Sequence, residues 1–579
     1  MSTAELPTQT FHLPQKERAL VDAALSAAQK GEWARRLWAK DATLWTGKDE
    51  AQWLGWLDLL PASPAALASY RAIADEVKKD GLEDVVLMGM GGSSMAPEVL
   101  AATFGIAEGR PKLHILDSTD PAQIAEVAAR VDLQRTLAVV ASKSGSTLEP
   151  ACFLAYFQQR LESNVGIEAP RRIVAITDPG SKLEAQARAG KFRAIVSGNP
   201  SVGGRFSALS PFGLLPAALI GVDLDALTAR ATAMAEACRL PGADNPGLAL
   251  GVALGALARA GRDKLTIVSS LGIHSFGAWL EQLVGESTGK QGKAIIPLDR
   301  ERVGSPEQYG SDRVIVHVRR ADGADAAQDA AIEALVAAGQ AVVRIHMRDA
   351  YDLGAELFRW EVATAFAGAV LGVHPFDQPD VEASKIASRR LTAAYELTGS
   401  LQAEVPFMET EGVKLFSDGR NAFALGAACG GTRTLASILK AHLARAHDGD
   451  YVALLAYLPM TGPHEARLQA ARHRIRDSKR VATCLGFGPR FLHSTGQAYK
   501  GGPSTGVFIQ LTCDDAKDLA VPGSKYTFGV VKATQARGDF EVLAERGRRA
   551  LRVHLGADVA AGLHAFEAAI ASALGTDAR

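Results

Sequence analysis

Three observations predict an α/β protein built on doubly wound parallel sheets. Short apolar runs alternate with helical segments, each run is followed by a glycine- or hydroxyl-rich turn, and the pattern recurs along most of the chain. The regular alternation starts at Val85. Buried strands are expected at Val85–Met88, Leu113–Leu116, Leu137–Ala141, Ile173–Ile176 and Phe192–Val196. Helices are expected after Pro97, over Ala122–Val131, from Pro150 and over Leu183–Ala189.

Before this alternation, residues 1–80 read as a helical cap whose apolar face carries Trp33, Leu37, Trp38, Trp45, Trp53 and Trp56, a stripe better suited to packing than to holding a cofactor. A first α/β unit spans 81–245. A second, 246–400, has strands at Leu265–Val268, Arg313–His317 and Ala341–Ile345. The remainder, 401–579, is expected to form a further α/β unit around Tyr451–Leu455, Val481–Cys484 and Val507–Leu511, ending in a helical tail. The segment from Val521 loosely echoes that from Met347, which suggests an internal repeat.

A chain of 579 residues is too long for one core. Lys and Arg total 63 against 64 Asp and Glu, so neither nucleic acid nor a membrane surface is an expected partner, and any anion site must be local. Cys152, Cys238, Cys429, Cys484 and Cys513 show neither metal-ligand spacing nor an even count, which fits a cytoplasmic protein without structural metal. The longest charge-free run, Phe206–Val222, is broken by Pro211, Gly213 and Pro216 and is too short to span a bilayer.

Four segments carry chemistry. Ser142-Lys143-Ser144-Gly145-Ser146-Thr147-Leu148-Glu149 lies between a strand and a helix, where free backbone N–H groups and the helix dipole favour an anion; the alternative is an ordinary Ser/Gly turn. Gly89-Met90-Gly91-Gly92-Ser93-Ser94 follows the first strand but lacks the third glycine of a dinucleotide fingerprint, so a turn placing Gly92 and Ser93 against a sugar or phosphate fits better. In Val202-Gly-Gly-Arg205-Phe-Ser207 an obligate cation stands beside two residues without bulk, ahead of an apolar stretch. Phe376-Asp-Gln-Pro-Asp-Val-Glu-Ala-Ser-Lys385 runs from a loop into a helix, with Lys385 a possible proton donor or simply a solvated lysine.

In this order the four segments resemble glucose-6-phosphate isomerases over roughly 85–397, and with Arg490-Phe-Leu-His493-Ser-Thr-Gly-Gln497 the chain is similar to the isomerase half of bacterial transaldolase/glucose-6-phosphate isomerase fusions. The resemblance implies two sugar isomerase (SIS) domains, 81–245 and 246–400, and interconversion of glucose 6-phosphate and fructose 6-phosphate through an enediol, with no metal or nucleotide cofactor. It implies that Gly92, Ser93, Ser142, Lys143, Ser144 and Thr147 hold the phosphate. Glu149 would contact the sugar, Arg205 would stabilise the enediolate and Lys385 would assist ring opening. For the carboxylate base, expected after Glu286-Ser-Thr-Gly-Lys290, the choice is Glu301, with Glu307 in reserve; the flanking Gly and Pro of the family are missing there.

No histidine between 318 and 372 matches the ring-opening one except His346 in a strand, which leaves His493 and His374 as candidates. One expectation follows: 401–579 folds over the site and supplies His493 in cis. The chain would then work as a monomer where related enzymes need a homodimer. Two other classes are weighed. A non-catalytic sugar-phosphate sensor would keep the cradle without the chemistry. A nicotinamide-dependent oxidoreductase is disfavoured by the glycine pattern.

Overall fold

The computed structural model describes residues 6–576; residues 1–5 and 577–579, the outer ends of the first and last expected units, lie outside the described residues. The chain opens with a strand, β1 (Thr8–His12), so the first eighty residues are not wholly helical as expected. They do contain the helices Gln15–Lys30 and Pro64–Lys79. The tryptophans work by stacking: Trp33 lies against Phe366, and Trp38 and Trp56 against Phe358 of the helix Asp352–Leu371. The segment is therefore part of the core that the first and second units share.

The first sheet holds β2 (Asp84–Gly89), β3 (Lys112–Leu116), β4 (Thr136–Ala141), β5 (Ile173–Thr177) and β6 (Ala194–Ser197) in the order β3-β2-β4-β5-β6, all parallel. Strands β2 and β4 are buried at every position, because helices cover both faces and the strands must be apolar on both sides. The second sheet contains β7 (Lys264–Ser269), β8 (Ile296–Leu298), β9 (Arg313–Arg320) and β10 (Ala341–Met347), in the order β8-β7-β9-β10 with β1 antiparallel on the edge. Close helix packing supports it. A Cβ on Gly251 would lie 2.2 Å from the Ala363 carbonyl oxygen, so only glycine lets the helix Pro246–Arg259 approach Asp352–Leu371 this closely.

The third sheet combines an antiparallel pair, β11 (Met408–Thr410) and β12 (Val413–Phe416), with β13 (Tyr451–Tyr457), β14 (Ala482–Phe487), β15 (Gly506–Cys513) and β16 (Arg549–Leu555). Its order is β14-β13-β15-β16-β12-β11. Strand β16 falls where a helical tail was expected, between the helices Phe528–Glu545 and Val559–Leu574. All three sheets share one ground plan: an inner strand, its follower on the outside, then two more strands stepping the other way. The echo between Val521 and Met347 does not mark this repeat. Val521 follows β15, the counterpart of β4, whereas Met347 ends β10, the counterpart of β5.

The units meet rather than stand apart. The helix Pro379–Thr398, which carries Lys385, packs along Phe528–Glu545 of the third unit, with Thr392 and Thr534 hydroxyls 3.1 Å apart. The third sheet's Tyr451, Leu455 and Phe491 share one apolar core with Ile296 and Leu298 of β8. No helix of the described residues is long and apolar enough to cross a membrane.

Candidate active site

The carboxyl ends of β2 and β4 open on a cleft of ≈ 220 Å³ lined by Gly91, Gly92, Ser93, Ser142, Ser144, Thr147, Arg205, Gln282, Glu286, Gln378, Lys385 and His493, among others. A second cavity of ≈ 230 Å³ shares Ser144, Thr147, Lys385 and His493 with it and extends to Glu149 and Gln535. The crevice at the strand ends of a parallel sheet is where such folds bind ligands.

One wall is the loop before the helix Leu148–Val165. Thr147 is its N-cap but makes no side-chain capping bond, which leaves the first backbone donors of an 18-residue helix without an internal partner. The buried Ser142 hydroxyl likewise has no partner among the described residues. The Ser144 and Ser146 hydroxyls lie 2.8 Å apart. Gly145 has φ of +63°, and a Cβ there would fall 2.3 Å from the Leu183 nitrogen, so this turn requires glycine. Lys143 departs from expectation. Lys143 lines the cleft, but its ammonium donates to both Asp178 oxygens (2.9 and 2.7 Å) and to the Asn199 carbonyl (2.9 Å), so it braces the loop rather than offering a free cation.

Arg205 is fully enclosed, and its fork is held on all sides. Nε donates to Ser287 Oγ (2.8 Å), Nη1 to Gln378 Oε1 (3.0 Å), and Nη2 to the carbonyls of Pro375 (2.7 Å) and Asp377 (2.9 Å). Its turn presses directly on the glycine turn after β2: a Cβ on Gly92 would lie 1.8 Å from the Gly204 carbonyl oxygen. Opposite stands Glu286, whose Oε1 is 3.5 Å from Arg205 Nη1. One turn earlier on the same helix, Phe276–Thr288, Gln282 donates to Glu286 Oε2 (3.3 Å). Arginine and carboxylate thus face one small volume.

The loop around Arg205 is set by two further groups. His374 Nδ1 accepts from the backbone N–H of Phe376 (3.1 Å) and Asp377 (3.2 Å), while Nε2 lies 3.0 Å from Asp49 Oδ1. His374 therefore orients the loop and does not line the cleft, which removes it as a ring-opening candidate. Lys290 donates to the His374 carbonyl (2.6 Å) and reaches Asp377 Oδ1 (3.0 Å). Burial, reinforced by the charge of Arg205, pushes its ammonium down to about 7.

His493 enters the cleft from the third unit, on the turn after β14. Its Nε2 lies 2.9 Å from Glu149 Oε1, which also accepts from Gln535 Nε2 (2.7 Å); Gln535 in turn accepts from the Thr119 hydroxyl (2.7 Å). Burial works to raise the Glu149 carboxyl, but His493 and, more distantly, Lys385 outweigh it and hold it below the ordinary range. Lys385 lines both cavities and makes no hydrogen bond or ion pair to another described side chain.

The structure does not bring Glu301, the expected base, into this cleft. Glu301 lies in a different crevice, beyond β8, with its carboxylate closed in by Arg313 (3.1 Å), Arg476 (3.7 Å) and Arg472 (4.0 Å). Burial opposes its charge, but the three guanidinium groups keep it ionised, as a structural anion should be. Glu307 is exposed on the turn Pro306–Gln308 and joins neither cavity of the site. The acid that does face Arg205 is Glu286, quoted in the sequence only as a marker of the segment. Its spacing of four from Gln282, which puts the two on one helix face, was the available signal.

Comparison with known proteins points to one family. A family model described as phosphoglucose isomerase matches residues 74–295. The glucose-6-phosphate isomerase of Rubrobacter xylanophilus is 32% identical over 375 residues, covering 56% of this chain and 86% of that protein. That of Thermus thermophilus is 31% identical over 403 residues, covering 62% and 94%. Among solved structures, a hypothetical protein of Thermus thermophilus aligns with a TM-score of 0.56 at 29% identity, over 66% of this chain and 99% of that one. A glucose-6-phosphate isomerase of Chlamydia trachomatis aligns at 0.51 with 22% identity, over 62% and 78%, a likeness of fold.

Proposed function

We infer the chemistry from one premise: the chain belongs to the glucose-6-phosphate isomerase family. It is an aldose–ketose isomerase that interconverts glucose 6-phosphate and fructose 6-phosphate. The observation that carries the assignment of roles is the convergence of Arg205, Glu286 and the uncapped Thr147 turn on one cleft. In our reading the phosphate sits at the start of the helix Leu148–Val165, held by backbone N–H groups with Ser142, Ser144 and Thr147, and Gly92 and Ser93 close the other side. Lys143 acts on it only through the loop it braces.

Glu286 then takes the proton from C2 and returns it to C1 while the O2 proton passes to O1, and the electron pair passes through an enediolate whose oxygen charge Arg205 balances. The fixed hydrogen bonds of Arg205 mean that the cation is in place before charge develops. Ring opening moves a proton from the anomeric hydroxyl to the ring oxygen. His493, oriented by Glu149 and Gln535, and Lys385 flank the place for that transfer. That His493 arrives from the same chain supports a working monomer, and the segment Arg490–Gln497 supports a likeness to the isomerase portion of transaldolase fusions. The free cysteines support a reducing, cytoplasmic setting. Assaying the purified chain with glucose, fructose and mannose 6-phosphates tests the reading; turnover of the first two is expected, and binding without turnover would favour a sensor.

A further inference from the structure

The shared ground plan of the three sheets places a crevice at the carboxyl ends of each central strand pair. In the first unit that crevice is the site just described. In the third it is a cavity of ≈ 430 Å³ at the ends of β13, β15 and β16, and the isomerase chemistry makes no use of it. The start of the adjoining helix Phe528–Glu545 is already closed: Thr527 Oγ1 accepts from the Val530 N–H, and Asp518 Oδ1 accepts from the Gly529 N–H (2.8 Å). Any anion must therefore be held by side chains deeper in the crevice.

Two arginines supply them. Arg552, at the inner wall and 3% exposed, lies over the ring of Phe416 with its guanidinium carbon 4.2 Å from the centroid. Arg552 Nη2 and Arg537 Nε are each 2.8 Å from one of the two oxygens of a single carboxylate, Glu404. Arg552 Nε is buried with no partner among the described residues. Glu404 belongs to a stretch, 399–407, outside every helix and strand, and its neighbour Val405 is 90% exposed, so little core packing holds the segment in place. The other charges of the crevice are answered elsewhere: Lys532 meets Asp120 and Asp515, His554 meets Asp514, and Glu409 faces Lys414 across the β11–β12 pair. The fork on Glu404 has the geometry by which paired guanidinium groups take a phosphate or carboxylate.

We propose that this crevice is a second ligand site, which takes a small phosphoryl or carboxylate anion on Arg537 and Arg552 in place of the Glu404 side chain. Equilibrium dialysis of the full chain against inorganic phosphate, and separately against succinate, tests it. The phosphate arm is expected to show two equivalents per chain, of which Thr147→Asp removes one and Arg537→Gln the other. Glu404→Gln should tighten the second equivalent about tenfold, since it removes a competing charged acceptor, while turnover of glucose 6-phosphate is unchanged. The arm that binds the second equivalent more tightly identifies the anion class. A single phosphate lost with Thr147→Asp, together with no succinate bound by Glu404→Gln, would overturn the proposal. So would a second equivalent indifferent to both the Arg537 and Glu404 variants. Glu404 is partly exposed, so its variant carries the test alone if Arg537→Gln does not fold.

Discussion

The loops that follow β4 and β9 occupy the same place in two copies of one ground plan and differ in how the next helix begins. After β4 the helix Leu148–Val165 begins at a Thr147 whose side chain makes no cap. After β9 the helix Ala326–Ala337 begins at Asp325, whose carboxylate accepts from the N–H groups of Ala327 (2.9 Å) and Gln328 (3.2 Å). One helix start keeps its donors and its positive end for an incoming anion; the other is neutralised by its own sequence. The acids beside them follow suit. Glu286 faces the open crevice against one arginine, whereas Glu301, at the closed one, is locked among three. On the proposed reading, a fold repeated within one chain becomes a site in one copy and a scaffold in another through a cap and a carboxylate.

The largest expected effect separates the two acids. Glu286→Gln should lower turnover about 10²–10⁴-fold, the range for removal of a general base, and circular dichroism should show the fold retained. Glu301→Gln should lower the melting temperature and leave turnover per folded molecule near that of the parent. Next comes Arg205→Ala, for which a loss of about 10²–10³-fold in kcat is expected, the scale for a preorganised partner of an oxyanion; a rise in KM with kcat intact would instead make Arg205 a simple binding group.

Exchanging the caps sharpens the comparison further. Thr147→Asp converts the open helix start to the closed kind and should raise KM for glucose 6-phosphate about tenfold, equivalent to about 1.4 kcal/mol, in steady-state assays. Asp325→Ala should cost about 0.5–2 kcal/mol of stability by denaturant titration, with no kinetic effect, because the second helix start binds only itself.

The smallest effect lies in the second unit's core, where Glu361 is enclosed with no hydrogen-bond partner among the described residues and burial pushes its carboxyl well above the ordinary range. The folded state keeps a proton that the unfolded chain has already released. Stability should therefore fall as pH rises above the usual carboxylate range, by at most about 1.4 kcal/mol per unit. Glu361→Gln should match the parent near pH 4.5 and melt progressively higher than it as pH rises; a constant gap would contradict the assignment of that proton.

Much of this was legible in the residues, unevenly. The first sheet could be read strand by strand because parallel strands covered on both faces are continuously apolar, and Ser142–Glu149 announced itself through its residue types. Strand β1 was not legible: Thr8–His12 is half-exposed on a sheet edge, and its partner β10 lies more than three hundred residues away. Strand β16 was hidden because Arg549 and Arg552 interrupt its apolar run, and only the structure shows the Arg552 charge answered by Glu404. The placing of the acids was illegible for a related reason. Nothing in the sequence separates Glu286 from Glu301; both are buried in the fold, and what distinguishes them is the number of arginines that distant segments bring to each.

The central claim is that Glu286 moves hydrogen between adjacent carbons of a sugar phosphate held at the Thr147 turn. Incubating glucose 6-phosphate with the enzyme in deuterium oxide and following carbon 2 by proton NMR tests it most directly. The account predicts deuterium at carbon 2 with the parent and with Glu301→Gln, and exchange slowed by orders of magnitude with Glu286→Gln. Undiminished exchange in the Glu286 variant, or its loss in the Glu301 variant at full folding, would contradict it.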